Sequence, residues 1–96
     1  MNTKEAYKIK IEAELELAQA KLMTWKAKSK NISADMNIEF NHQVGEIEKT
    51  LEKLTTSLKE LNAAGEDSWE KIKTAGDNAL DSVKKIFQNL SDKFKI

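Results

Sequence analysis

Apolar residues recur every three or four positions along nearly the whole chain, and charged or polar residues fill the positions between them. This spacing is typical of amphipathic helices that bury one stripe against other helices. The pattern breaks clearly at residues 63–67, where Gly65 stands at a position that often ends a helix. With no proline and three glycines among 96 residues, the chain offers little for strands or hairpins. We therefore predict an all-α fold that forms one helical domain over residues 1–96.

The first apolar stripe follows the alternation of four and three that is expected of a coiled-coil-like helix. Its residues are Ile11, Leu15, Ala18, Leu22, Trp25, Ser29, Ile32 and Met36. Beside this stripe runs a row of alanines at every seventh position, namely Ala6, Ala13, Ala20, Ala27 and Ala34. Small side chains let a neighbouring helix approach closely. We therefore expect this helix to contact two neighbours rather than one.

A second stripe covers residues 40–61, and no glycine or proline separates it from the first at residues 30–35. Across residues 32–44 the apolar positions are spaced by four, which is the mark of a stutter that a continuous helix absorbs. A turn at this point is the alternative, because Ser33 is a weak helix former that could serve as an N-cap. We expect a continuous helix over residues 3–62, which would be about 90 Å long.

The last helix is predicted over residues 68–94. Asp67 lies three residues before Glu70, which is the spacing of a capping box at a helix start. Gly76 occupies a stripe position in this helix, and we interpret it as a second stutter. The three apolar segments are similar in length, so the sequence predicts three helical segments that share one core.

The charge distribution bears on how these segments assemble. Residues 1–30 carry a net charge of +3, residues 31–65 carry −3, and the rest is neutral. Segments of opposite sign are suited to lying side by side. A turn at 30–35 would give a monomeric three-helix bundle, whereas a continuous helix needs a second chain to cover it. We favour the second arrangement, a homo-oligomer completed by antiparallel dimerisation. The residues predicted to form the helix-packing interface are Leu15, Leu22, Trp25, Ile32, Phe40, Ile47, Leu51, Leu54, Leu58, Trp69, Leu80, Val83 and Phe87.

Few residues offer chemistry for catalysis or metal binding. The chain has no cysteine and one histidine, so a disulfide, a thiolate metal site and a nucleophile–base pair are not expected. Glu39 and His42 have the Glu-x-x-His spacing of di-metal bundles, but the helical phase puts both, with Glu46, outside the apolar stripe. We predict no enzyme and no catalytic, cofactor-binding or metal residue. All sixteen basic residues are lysine, which argues against nucleic acid as a partner.

Two functional hypotheses remain open. The first is a non-enzymatic helical assembly or interaction protein that binds itself or a protein partner through coiled-coil-type contacts. The alternative is an amphipathic protein that binds lipid surfaces or protects against stress, because Trp69, Phe87, Lys84 and Lys85 give the last helix the character of a peripheral membrane helix. Acidic residues cancel those lysines, so we do not favour a membrane surface. With no apolar leader and no apolar run of about 20 residues, we expect a cytoplasmic location.

Three segments of the chain resemble a known group of proteins. They are Lys4-Glu5-Ala6-Tyr7, Ile38-Glu39-Phe40-Asn41 and Asp67-Ser68-Trp69-Glu70. Together they are similar to small bacterial coiled-coil-domain-containing proteins that have no assigned activity. The resemblance implies an oligomerising helical protein, and it carries over no catalytic residue.

Overall fold

The computed structural model describes residues 3–65 and 67–94, and it confirms the all-α fold. Three helices pack against one another: α1 spans Thr3–Lys28, α2 spans Ala34–Ala63 and α3 spans Trp69–Lys93. They run up, down and up, so α1 and α3 are parallel to each other and α2 is antiparallel to both. The bundle is elongated, with dimensions of 49 × 19 × 18 Å.

The chain reverses between α1 and α2, so the expected continuous helix over residues 3–62 is wrong. A short 3-10 turn at Ser29–Asn31 follows α1. Ile32 and Ser33 then have extended backbones, with ψ of 141° and 157°. As a result, α1 lies beside α2 of the same chain, and the segments of opposite charge meet within one molecule.

Local hydrogen bonds stabilise this reversal without glycine or proline. The hydroxyl of Ser33 accepts from the backbone N–H of Met36 at 3.5 Å and caps α2. The side-chain amide of Asn37 donates to the carbonyl of Ser29 at 3.4 Å. Ile32 is half-buried against the core, so the turn has room for its side chain. Serine and asparagine thus satisfy the backbone groups that a helix end leaves unpaired.

The connection from α2 to α3 contains neither of the two features that the sequence predicts, a helix-ending glycine at Gly65 and a capping box from Asp67 to Glu70. Ala64 is extended, with φ −77° and ψ 141°, and no glycine among the described residues has a positive φ. Gly65 therefore does not supply a left-handed turn. Instead, the Lys4 ammonium of α1 donates to the carbonyl of Ala64 at 2.7 Å. A cation at a helix C-terminus also interacts favourably with the helix dipole.

The prediction of a capping box at the start of α3 is also wrong. Ser68 rather than Asp67 is the N-cap, and its side chain makes no capping bond to the helix. Its hydroxyl donates to the carbonyl of Gly65 at 3.4 Å, which ties the turn to itself. The α2–α3 link occupies residues 64–68, of which residue 66 lies outside the described residues.

One apolar cluster runs along the bundle axis and holds the three helices together. The largest fully buried side chains in it are Phe40, Ile11, Ile47, Leu54, Leu61 and Leu90. Aromatic contacts close both ends. At one end the rings of Tyr7 and Trp69 lie 6.0 Å apart, and at the other Phe40 contacts both Trp25, at 6.3 Å, and Phe94, at 5.5 Å. Each such pair adds about 1 kcal/mol beyond the burial of its surface.

Candidate interaction surface

All thirteen residues predicted for the helix-packing interface lie in the core or against it. Nine are buried, namely Leu22, Phe40, Ile47, Leu51, Leu54, Trp69, Leu80, Val83 and Phe87. The other four are half-buried and pack against the cluster, namely Leu15, Trp25, Ile32 and Leu58. These residues are therefore used inside the chain, and an external contact has to rely mainly on other positions.

The expectation that α1 contacts two neighbours is confirmed, since α1 packs against both α2 and α3, but the roles expected of Met36 and of the alanine row are wrong. Met36 is 44% exposed, because the reversal at residues 29–33 resets the helical phase and turns this side chain outward. The alanine row from Ala6 to Ala34 is exposed along its whole length. Since α2 and α3 pack on either side of the buried stripe of α1, the alanines of α1 lie on its outer side, where Ala20 borders α3.

The exposed alanines belong to a second apolar stripe, on the outer surface of α1. Ile9 is 53% exposed, Leu17 is 56% exposed and Met23 is 73% exposed. With the alanines between them they repeat every three or four residues, as the positions of a coiled-coil seam do. We define the outer surface of α1 by Ile9, Ala13, Leu17, Ala20, Met23 and Ala27. One helix thus carries two apolar faces, and the fold of the single chain buries one of them.

A groove between α1 and α3 adjoins this outer surface and has a volume of about 660 Å³. Its α1 wall consists of Leu17, Ala20, Lys21, Thr24 and Trp25, and its α3 wall of Lys84, Phe87, Gln88 and Ser91. A depression of about 230 Å³ continues it towards Leu80 and Val83. Leu17 and Ala20 belong both to the groove and to the outer surface, so the two form one continuous region.

Lysines surround the apolar floor of the groove. Lys21 lies with its ammonium 5.6 Å from the ring centroid of Phe87, and Lys28 lies 5.4 Å from that of Trp25. Lys84 lines the opposite wall. Cations above aromatic rings stay hydrated on one side, so they can still meet an incoming carboxylate. The region is therefore apolar at its centre and positively charged on this rim.

A buried tyrosine fixes α1 to α3 beyond the far end of the groove. The hydroxyl of Tyr7 is directed at two acceptors, the carbonyl of Lys73 at 2.9 Å and the Asp77 carboxylate at 3.0 Å. Burial, and then the hydrogen bond and charge of Asp77, raise the pKa of Tyr7 well above its ordinary value. A Cβ added at Gly76 would lie 2.6 Å from the hydroxyl oxygen. Gly76 is therefore a contact site for Tyr7 within a helix that continues past it, and only the position of α1 could reveal this contact.

The groups considered for metal chemistry lie on the surface. Glu39, His42 and Glu46 are all exposed, and Glu39 forms an ion pair with Lys93. Within residues 3–65 and 67–94, no three histidine, aspartate or glutamate side chains are grouped so that they could hold a metal ion. Over the same residues, no helix contains an apolar stretch long enough to cross a bilayer.

The aromatic residues that suggested a lipid-binding helix are in the core. Trp69 and Phe87 are each 8% exposed, and Phe94 is 2% exposed. The apolar face of α3 is covered by α1 and α2, so it would reach a membrane only if the bundle opened. Among the described residues, the exposed large apolar side chains are more numerous on the outer surface of α1 than on α2.

Comparison with known proteins adds no relative. No protein-family model matches the chain, and neither a curated protein nor a solved structure is detectably similar to it. The resemblance to small bacterial coiled-coil-domain-containing proteins therefore stays a prediction.

Proposed function

We propose that the protein is a non-enzymatic helical assembly protein that works through coiled-coil-type contacts with another helix. The outer surface of α1, together with the α1–α3 groove, is the contact site in this proposal. The observation that carries it is the second apolar stripe of α1, in which Ile9, Leu17 and Met23 are each more than half exposed. A cytoplasmic location is part of the proposal.

The arrangement of the exposed residues supports a contact site rather than scattered surface residues. Single exposed apolar side chains are common and need no explanation, whereas a contiguous exposed patch marks an interaction site. On α1 the large residues stand on one face with alanines between them, which gives a partner helix both anchors and room for close approach. On α2, by contrast, Met36 and Ile38 are exposed near the helix start and no stripe continues from them.

The charge of the groove rim indicates the chemistry of the partner helix. Lys21, Lys28 and Lys84 surround the apolar floor, so an amphipathic helix with glutamates beside its apolar face is complementary to it. Recognition would follow the helix-in-groove mode, in which apolar anchors supply affinity and the flanking charges supply orientation.

A fluorescence titration tests the proposal, because Trp25 lines the groove. In a Trp69→Phe variant, checked by circular dichroism, Trp25 is the one remaining tryptophan of the chain. The probe is a designed helical peptide of about three heptads with leucine and alanine on one face and glutamate on its flanks. We expect the glutamate peptide to shift the emission of Trp25, and a peptide with lysine in place of glutamate to bind at least tenfold more weakly.

Matched surface variants supply the control for this titration. Leu17→Glu should abolish binding, whereas Ile38→Glu changes an exposed isoleucine on α2 and should leave it intact. The proposal is wrong if neither peptide changes the emission of Trp25. It is also wrong if the two variants weaken binding equally, since the contact would then not be at the groove.

Lipid binding, the alternative predicted from sequence, makes a different prediction. Because Trp69 is buried, a lipid-bound state would have to open the bundle and move this side chain. Anionic vesicles should then change the emission of a Trp25→Phe variant, in which Trp69 is the reporter. We expect no change, and a clear shift would favour the lipid-binding function over the helix-docking one.

A further inference from the structure

We infer that the helix that docks on the outer surface of α1 is α1 of a second copy, packed antiparallel about a twofold axis near Leu17. This inference rests on the proposed function and names its partner. It differs from the dimer that a continuous helix would form, because both bundles stay folded as they are.

The spacing of the exposed stripe fits an antiparallel pairing with itself. Alanines occupy one of the two seam positions, and larger side chains occupy the other. In an antiparallel pair these two positions face each other, so each alanine meets a larger side chain. Ala13 is then opposite Met23 of the second copy, and Ala27 is opposite Ile9. The two Leu17 side chains meet beside the axis, in the wall of the groove.

Charges on one side of the stripe are complementary in the same register. Glu12 comes beside Lys26 of the second copy. The twofold axis repeats this pair, so two pairs of opposite charge flank the seam. Lys26 is half-exposed in its ion pair with Glu48 and can contact a second carboxylate.

Glu16 selects the antiparallel direction over the parallel one. It occupies a seam position between Ile9 and Met23. In a parallel pair the two Glu16 side chains would face each other in one layer, and like charges in such a position repel. In the antiparallel register, Glu16 faces Ala20 of the second copy, where its stem can cover the methyl group while the carboxylate reaches solvent.

The size of the stripe sets the expected strength of the dimer. From Ile9 to Ala27 the helix rises about 27 Å, and a helix contact is about 10 Å wide. The footprint is therefore about 300 Å² per copy, well below the roughly 800 Å² per partner of a standard interface. We expect a reversible dimer that dissociates on dilution, not an obligate one.

Sedimentation equilibrium over a wide range of protein concentrations tests this inference. The full chain should pass from monomer to dimer as its concentration increases. Ala20→Glu would place a second carboxylate against Glu16 of the other copy, and it should weaken association at least tenfold. Ala75→Glu is the matched control, because Ala75 is an exposed alanine on the α2–α3 side, and this variant should associate like the unmodified chain.

A charge exchange tests the register itself. Glu12→Lys and Lys26→Glu should each weaken the dimer, because each replaces two attractive pairs with two repulsive ones. The double variant restores opposite charges across the antiparallel axis and should regain most of the association. If the double variant associates no better than the single ones, the proposed register is wrong.

The outcomes separate this inference from the function on which it rests. A chain that stays monomeric at the highest concentration, while the glutamate peptide still shifts Trp25, overturns the second copy as partner and leaves helix docking intact. If the chain is monomeric and the glutamate peptide does not shift the emission of Trp25, both helix docking and the second copy as partner are overturned. A dimer that Ala75→Glu weakens as much as Ala20→Glu overturns the assignment to α1.

Discussion

The contact between Gly76 and Tyr7 gives a sharp test of how α1 is held on α3. In most exposed helix positions, Gly→Ala stabilises a protein by up to about 1 kcal/mol, because alanine is the better helix former. At Gly76 the new methyl group would lie 2.6 Å from the Tyr7 hydroxyl, about 0.8 Å inside ordinary contact. The hydroxyl would have to move and lose its bonds to Lys73 and Asp77. Such overpacking costs about 1–3 kcal/mol, which exceeds the propensity gain.

We therefore expect Gly76→Ala to lower the free energy of unfolding by about 1–2 kcal/mol. Tyr7→Phe should lower it by a similar amount, since it removes a hydrogen bond to a carboxylate. The double variant is the informative one. Without the hydroxyl, the atoms nearest to the new methyl are Cζ of residue 7 at 3.6 Å and Cδ1 of Ile11 at 3.8 Å, both ordinary contacts. In the Tyr7→Phe background, Gly76→Ala should thus be neutral or stabilising.

Urea unfolding followed by circular dichroism measures all four proteins of this cycle. Gly45→Ala serves as the matched control, because a Cβ at Gly45 would meet no atom within 4 Å. It should stabilise the protein by up to about 1 kcal/mol. The reasoning is refuted if Gly76→Ala stabilises the unmodified protein as Gly45→Ala does. It is equally refuted if Gly76→Ala destabilises both backgrounds by the same amount, since the hydroxyl would then not be the cause.

Three further predictions concern the core, the pH dependence and the helix break. Leu54→Asp puts a carboxylate at a fully buried position and should cost more than about 4 kcal/mol, enough to abolish the helical circular dichroism, whereas Lys53→Asp should leave the signal unchanged. Because the pKa of Tyr7 is raised in the folded state, the unfolded chain loses the hydroxyl proton at a lower pH than the folded chain does. The urea midpoint should therefore hold steady below about pH 10 and fall above it. The fall should be smaller in Tyr7→Phe. Ser33→Ala removes a long capping bond and should lower the free energy of unfolding by about 0.5 kcal/mol; no loss would show that this bond does not stabilise the turn.

Much of the fold follows from the periodicity of the sequence. The alternation of four and three located the buried stripes because helix geometry alone decides which side chains share a face. The break between α1 and α2, with Ser33 as N-cap, was predicted only as the alternative, because it depends on a balance of small energy contributions. Ser33 and Asn37 supply side-chain hydrogen bonds to the turn, and Ile32 finds space against a core that exists only after the chain reverses. No local sequence pattern shows whether these hydrogen bonds and this burial outweigh the hydrogen bonds of a continuous helix.

The proposed interaction surface was harder to predict than the core. The alanine row was recognised as a second contact face, but its neighbour was expected within the predicted assembly of helices. Which face of α1 is covered depends on how α2 and α3 divide the space around it, and that is a property of the packed bundle. Likewise, the role of Gly76 can be recognised only from its contact with Tyr7, which is 69 positions away in the chain.

The two tryptophans stand at opposite ends of a bundle 49 Å long. Trp69 contacts Tyr7 where α1 begins, and Trp25 contacts Phe40 where α1 ends. Variants that keep one tryptophan each therefore report separately on the two ends. If denaturation is cooperative along the whole rod, their emission curves coincide. If they diverge, the end that loosens first is identified by its own indole, and the half-buried Trp25 is the one we expect to respond earlier.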